Sequence, residues 1–152
     1  PMVSRDEINE GIFRTFGGPE LADKERVAGL TFDAFFRVLA LHVSCDVTFV
    51  AEAAFQDLRW RIGLEPLLPL AEMKVIRCRI DSQLARERVV RRNLERQAAG
   101  CAGHVSADAR SVQPAPIRPF EPLSLPVPSL TVSTADGYDP RLEEIASFVA
   151  SR

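Results

Sequence analysis

The stretch Val47-Thr48-Phe49-Val50-Ala51-Glu52 decides the fold class of this chain. Residues 47–51 present apolar side chains on both alternating faces, and a strand needs two such faces only when helices cover both sides of its sheet. We therefore interpret 47–51 as a buried strand of a parallel sheet. Ligands of open α/β sheets bind beyond the carboxyl ends of the strands, and Glu52 stands at that end.

Other segments alternate in the same way along the chain. Short strands are predicted at Met2–Ser4, Lys74–Ile80 and Leu130–Ser133. Helices are predicted from Arg5, over about 20–43, over 55–71, from a Ser82 cap to about 98, and from Pro140 to Val149. Such alternation predicts a three-layer α/β/α fold with a parallel sheet. The 152 residues fit one domain, with residues 82–127 as a helical lid and a mobile connection rich in Pro, Ala and Ser within it.

Composition limits the environment and the partners. The net charge is −2, and the three cysteines show no C-x-x-C spacing. An odd number of unclustered cysteines indicates reduced thiols and a cytoplasmic protein. The uninterrupted apolar runs are shorter than the roughly 18 residues that span a bilayer, which argues against a membrane protein. A slightly acidic chain without interleaved aromatics also argues against nucleic-acid binding.

Two carboxylates are candidates for chemistry because each follows a predicted strand. Glu52 could hold magnesium or orient a nucleophile, and Asp6 could accept the proton of a substrate hydroxyl. The alternative is that both simply favour the start of a helix, where the macrodipole attracts acids. Ser4 is the better capping residue by type, which leaves Asp6 free for another role.

The arginines after Asp81 form the most distinctive cluster. Between Lys74 and Arg96 there are eight basic residues and three acids. At 100° per residue Arg88, Arg91 and Arg92 share a helix face with Arg96. Planar guanidinium groups suit bidentate phosphate contacts, although a solvated helix with a Glu87–Arg91 pair remains the alternative.

The sequence lacks two common catalytic motifs, and its two histidines are isolated. The sequence contains neither the phosphate-binding loop G-x-x-x-x-G-K-[ST] nor a serine nucleophile elbow. His42 and His104 have no second ligand at metal-binding spacing, which argues against zinc. His104 follows the arginines and could contact a substrate.

In order and spacing, these segments resemble the small P-loop kinases, including chloramphenicol phosphotransferase-like, gluconate kinase-like, zeta toxin-like and AAA-family ATP-binding proteins. The resemblance covers nearly the whole chain and implies an ATP- and Mg²⁺-dependent phosphotransferase acting on an unidentified small molecule. It implies catalytic roles for Asp6, Arg88 and Arg92, and a magnesium or substrate role for Glu52. Substrate contacts are implied for Arg5, Arg86, Arg91 and His104, and nucleotide contacts for Asp136 and Gly137 in the turn after the last strand.

The chain departs from these kinases in one major respect. The first strand and the P-loop are absent, and we expect a chain that lacks its N-terminal segment and does not bind ATP by itself. In the resembled kinases that strand lies between those matching 47–52 and 74–80, so its absence predicts unpaired strand edges and self-association. The alternative to an enzyme is a non-catalytic or truncated domain of the same fold.

Overall fold

The computed structural model describes residues 1–16, 23–98 and 121–151. They form two compact units, and each is described by itself. The first contains residues 1–72 with 121–125, and the second contains residues 73–98 and 126–151. The sequence predicts one domain over 1–152, and the division into these two units does not test that prediction.

The first unit is built on a short parallel pair of strands with two long helices. Strand β1 (Met2–Ser4) leads directly into helix α1 (Arg5–Thr15), and helix α2 (Lys24–Ser44) precedes strand β2 (Val50–Glu52). The strands pair in parallel, with Ser4 opposite Glu52 at their carboxyl ends. The predicted strand at 2–4 and the parallel arrangement are confirmed.

Helix α2 provides the core of this unit through one stripe of side chains. Val27, Thr31, Phe35 and Leu39 follow at four-residue intervals, and each is at most 1% exposed. The Thr31 hydroxyl lies 3.0 Å from Asn9 Oδ1 of α1 and 2.7 Å from the Val27 carbonyl, so the buried polar group is satisfied. By length and hydropathy alone, 25–44 is also the one stretch of the described chain that could cross a membrane. The stripe is the pattern of a helix packed on a core.

An aromatic cluster joins α2 to the next helix, α3 (Asp57–Leu64), which a short 3-10 turn (Glu65–Leu67) extends. Trp60 is 5% exposed and meets Phe35 edge to face at 5.5 Å between ring centroids. Phe55 meets the same indole at 4.9 Å. A Cβ atom at Gly63 would overlap the Phe36 ring, so the ring would have to move to admit any side chain where α3 approaches α2. Trp60 therefore packs in the core of this unit.

Strand β2 differs from its prediction in length and in burial. Pairing covers only 50–52 rather than 47–51, and Val47 and Val50 are 38% and 64% exposed. Two local facts explain the difference. Asp46 leaves α2 at φ 53, with Val47 still bonded to the His42 carbonyl, and β1 offers only three residues as a partner. The prediction of a strand with two covered faces was wrong for Val50.

The second unit repeats the parallel arrangement. Strand β3 (Val75–Arg79) pairs in parallel with strand β4 (Ser129–Ser133), and helix α4 (Ser82–Ala98) follows β3. The predicted strands at 74–80 and 130–133 are confirmed. On β3, Ile76 and Cys78 are exposed, whereas Val75 and Arg77 are half-buried.

The final helix of this unit, α5 (Leu142–Ala150), begins two residues later than the Pro140 start that the sequence predicts. None of its residues is buried. Lys74 holds its end: the ammonium group donates to the Val149 carbonyl at 2.9 Å and to the Ser151 carbonyl, and it lies 5.9 Å from the Phe148 ring centroid. A cation at a helix C-terminus satisfies its open carbonyls and its dipole.

Candidate functional site

The carboxyl ends of β1 and β2 place Glu52 opposite Ser4, the residue at which the chain enters the helix that carries Asp6. Ser4 Oγ donates to Glu52 Oε2 at 2.8 Å across the register pair. Ser4 is 7% exposed, whereas Glu52 is exposed. Ser4 does occupy the N-cap position of α1, but its side chain makes no capping bond. The prediction that the Ser4 side chain caps α1 is therefore wrong. In the rotamer that donates to Glu52, the Ser4 hydroxyl does not bond to the amides of the helix.

Asp6 and Arg5 form an ion pair beside this hydrogen bond, in the first turn of α1. Arg5 Nη1 lies 3.0 Å from Asp6 Oδ1, with the side chains 26% and 70% exposed. Arg5 Nε is buried and has no hydrogen-bond partner among the residues that the structure describes. An exposed pair of this kind contributes about 0–1 kcal/mol, so the Asp6 carboxylate is easily given up to another donor.

The Ser4–Glu52 contact makes a measurable prediction about coupling. Ser4→Ala and Glu52→Ala should each destabilise the chain in urea unfolding, and the double variant should be less destabilised than the sum. A hydrogen bond to a charged group is worth about 1.5–3 kcal/mol, and we expect a coupling energy near the lower end because Glu52 is exposed. Ser4→Ala combined with Asp33→Ala, an exposed acid on α2, serves as the additive control. A coupling of zero between Ser4 and Glu52 would contradict the contact.

The arginines of the second unit divide into two environments on α4. Arg88 is half-buried, with Nη1 donating to the Thr134 carbonyl and Nη2 to the Ala135 carbonyl, both at 2.7 Å. Arg86, Arg91 and Arg92 are exposed, and Arg91 lies a long 3.9 Å from Glu95. Of the arginines that helical spacing places on one face, Arg88 therefore packs against the turn after β4. Arg91 and Arg92 are accessible to solvent.

The cap of helix α4 lies one residue earlier than predicted, and the helix itself begins at Ser82. Asp81 Oδ1 accepts from the amides of Gln83 and Leu84 at 2.8 and 3.2 Å, which makes Asp81 the capping residue and places Ser82 inside the helix. The expected Ser82 cap was wrong. Both residue types cap well, and β3 ends at Arg79, which leaves Asp81 at the position where the helix starts.

A cavity of about 440 Å³ opens at the carboxyl ends of β3 and β4. Its polar lining includes Arg79, Asp81, Ser133 and Asp139. The turn that borders it is closed by a reciprocal backbone pair, Ser133 N–H to Asp139 O at 2.7 Å and Asp139 N–H to Ser133 O at 3.1 Å. Neither Arg79 nor Asp139 is among the site residues that the sequence predicts. Their position at the end of a strand and after a turn was the available signal.

The remaining predicted site residues are placed as follows. Asp136 and Gly137 lie exposed in the turn after β4, where Gly137 has φ +74, a conformation suited to glycine. His104 and most of the predicted connection up to residue 127 lie outside the described residues. Within 1–16, 23–98 and 121–151, no group of three or more His, Cys, Asp or Glu side chains is arranged to hold a metal ion.

Parallel strands joined by helices place the chain in the α/β class, with the kinase-like fold seen in a solved structure. That structure is the 1.70 Å crystal structure of a candidate kinase from Chloroflexus aurantiacus j-10-fl. The likeness has a TM-score of 0.63 at 21% identity and covers 98% of this chain and 80% of that one. No family model matches the chain, and no curated protein matches it significantly. At this identity the comparison shows the fold alone.

Proposed function

We propose that the chain is part of an ATP-dependent phosphotransferase with the three-layer architecture of the small P-loop kinases. The observation that carries the proposal is the Ser4–Glu52 pair, which lies where two parallel strands end and is followed by the exposed carboxylate of Asp6. The similarity of the fold to that of the Chloroflexus candidate kinase also supports the proposal. The acceptor is a small molecule with a hydroxyl group.

In this proposal the acids of the first unit handle the acceptor and the metal. Asp6 takes the proton of the attacking hydroxyl, and Arg5, released from its weak pair with Asp6, holds the acceptor. Ser4 donates to Glu52 Oε2, and the exposed Glu52 carboxylate would hold Mg²⁺, directly or through water. One carboxylate oxygen fits this ion, because kinase magnesium keeps several waters and takes other ligands from the phosphates. Bound magnesium neutralises charge on the transferred group.

The second unit supplies the groups that bind anions and the nucleotide. The exposed guanidinium groups of Arg86, Arg91 and Arg92 suit phosphate oxygens, which they can contact in pairs. We assign Arg92, with Arg88, to the charge that develops on the transferred phosphoryl group. Asp136 and Gly137 would border the nucleotide base, and His104 would contact substrate.

The cradle for the ATP phosphates is the part that these 152 residues do not contain. A P-loop binds phosphates through a row of backbone amides and a lysine, and the sequence holds no such motif. The proposed enzyme therefore needs a P-loop strand and helix in addition to the residues described above.

A second candidate function, a non-catalytic domain that associates through its strand edges, is favoured by the backbone of β2 and β3. The Val50 amide donates to the Pro1 carbonyl, so alternation turns the backbone groups of Ala51 away from β1. In β3, the Val75 amide and the Arg79 carbonyl bond towards β4, which turns Ile76 and Cys78 outward. In the described part of the chain these edges have no partner strand, and bare edges favour pairing between molecules.

One experiment separates the two candidates. The chain is joined to a P-loop unit ahead of Pro1, taken from the upstream reading frame where that encodes one, and is incubated with γ-labelled Mg-ATP and pools of hydroxyl-bearing small molecules. We expect acceptor-dependent release of ADP and labelled product. The matched control replaces the P-loop lysine by alanine. Turnover no higher than this control, together with association that rises with concentration in gel filtration, would favour the non-catalytic domain.

A further inference from the structure

We propose that Arg88 is a latch that anions release: without an anion its guanidinium ties α4 to the turn after β4, and a phosphate group takes it away. The two Nη atoms reach the carbonyls of consecutive residues, Thr134 and Ala135, at the same distance of 2.7 Å. The planar fork of arginine matches two adjacent acceptors in this way. The contact joins residues 46 and 47 positions apart, and thus ties a helix to a turn.

The turn held by Arg88 borders the cavity of the second unit. It leaves β4 with the Thr134 amide bonded to the Arg79 carbonyl at 2.9 Å, and it closes with the pair between Ser133 and Asp139. Ala135, one of the two residues whose carbonyls Arg88 holds, lines the cavity. Arg88 therefore adds two hydrogen bonds to a turn whose two ends are also held by backbone bonds. Its release removes the tie between α4 and the part of the turn around Ala135, which lines the cavity.

The latch can be opened by an anion because its acceptors are neutral. A guanidinium group binds a phosphate with two charge-assisted hydrogen bonds, which are stronger than bonds to carbonyl oxygens. One of the two contacts is exposed to solvent, so water can replace Arg88 at the Ala135 carbonyl. The exposed neighbours Arg91 and Arg92 raise the local concentration of anions. Helix α4 thus attracts, through Arg91 and Arg92, the anion that competes with the two carbonyls for Arg88.

The release has a defined consequence for ligands of the cavity. A ligand that needs the closed turn and an anion that takes Arg88 must oppose each other, since coupling between two sites is reciprocal. This device depends on the contacts of Arg88 and operates whether or not the chain transfers a phosphoryl group.

Hydrogen exchange with inorganic pyrophosphate as the probe tests the latch without any turnover. The reporters are the amides of Thr134 and Asp139, followed by NMR in the intact chain. We expect pyrophosphate to speed their exchange about tenfold or more, the effect of losing hydrogen bonds to a charged donor. Sodium chloride at equal ionic strength should have no such effect. Unchanged exchange with pyrophosphate in the unmodified chain would overturn the proposal.

Variants assign the effect to one side chain. Arg88→Ala should exchange fast at these amides before pyrophosphate is added, and pyrophosphate should change nothing further. Arg88→Lys should be intermediate, because one ammonium group does not reproduce the fork. Arg37→Ala removes an equal charge from an exposed position on α2 and should match the unmodified chain with and without pyrophosphate. A response to pyrophosphate that persists in Arg88→Ala would overturn the latch.

Discussion

Mg-ATP should bind the 152-residue chain at least about a thousandfold more weakly than a form that carries a P-loop unit ahead of Pro1. A hydrogen bond to a charged group is worth about 1.5–3 kcal/mol, and a P-loop makes several of them to the phosphates. Each 1.4 kcal/mol is a factor of about ten in affinity, so three such bonds already account for the difference. Isothermal titration calorimetry on both forms measures it.

Two controls make this result specific to the loop. Alanine in place of the P-loop lysine should remove much of the gain in the extended form. Arg37→Ala, an exposed charge on α2, should leave ATP binding by the extended form unchanged. Micromolar binding of Mg-ATP by the chain alone would show that other residues cradle the phosphates, and the proposed division of labour would then be wrong.

Asp6→Asn should lower kcat of the extended form by about two to four orders of magnitude, the usual contribution of a general base. Asparagine keeps the size of the side chain and loses the ability to take a proton, so KM for the acceptor should change much less than kcat. Folding should be preserved, because the Asp6 side chain is 70% exposed and its ion pair with Arg5 has small energetic weight. Steady-state kinetics with the acceptor varied measures both constants.

Glu7→Gln is the matched control for Asp6. Glu7 is the next residue on the first turn of α1, is exposed, and carries the same charge. We expect kcat within about twofold of the unmodified enzyme, since exposed substitutions away from a site have small effects. Equal losses for Asp6→Asn and Glu7→Gln would point to the charge of the helix end rather than to a base.

The fold class was predictable because it depends on local patterns. The strands at 2–4, 75–79 and 129–133 lie within a residue or so of their predicted places, each bounded by turn residues or a helix. The extent of strand β2 was not predictable, because it is limited by the length of β1 and by the positive φ at Asp46. Neither limit is visible in the apolar pattern of 47–51.

The site was predictable in its residue types and much less in its contacts. A carboxylate at the end of a strand was a sound expectation for Glu52, but its bond to Ser4 depends on a register between residues 48 positions apart. The partners of Arg88 are main-chain carbonyls, which every residue has, so no sequence signal marks them. Helical spacing predicts which side chains share a face of α4, and it grouped Arg88 with its exposed neighbours. It does not predict which part of that face packs against the turn after β4.

The clamp of Lys74 on the end of α5 has a consequence for the order in which the protein is made. The lysine and its Ser151 acceptor are 77 residues apart, and β3 beside it must wait for β4 as a pairing partner. Contacts between distant residues form slowly, and domains fold as the chain emerges during synthesis. The first unit has α1, α2 and both its strands within 1–52, so these can assemble on the ribosome. The second unit keeps β3 unpaired, and open to chaperones and proteases, until β4 has left the exit tunnel, and its Lys74 clamp forms only after Ser151 has followed.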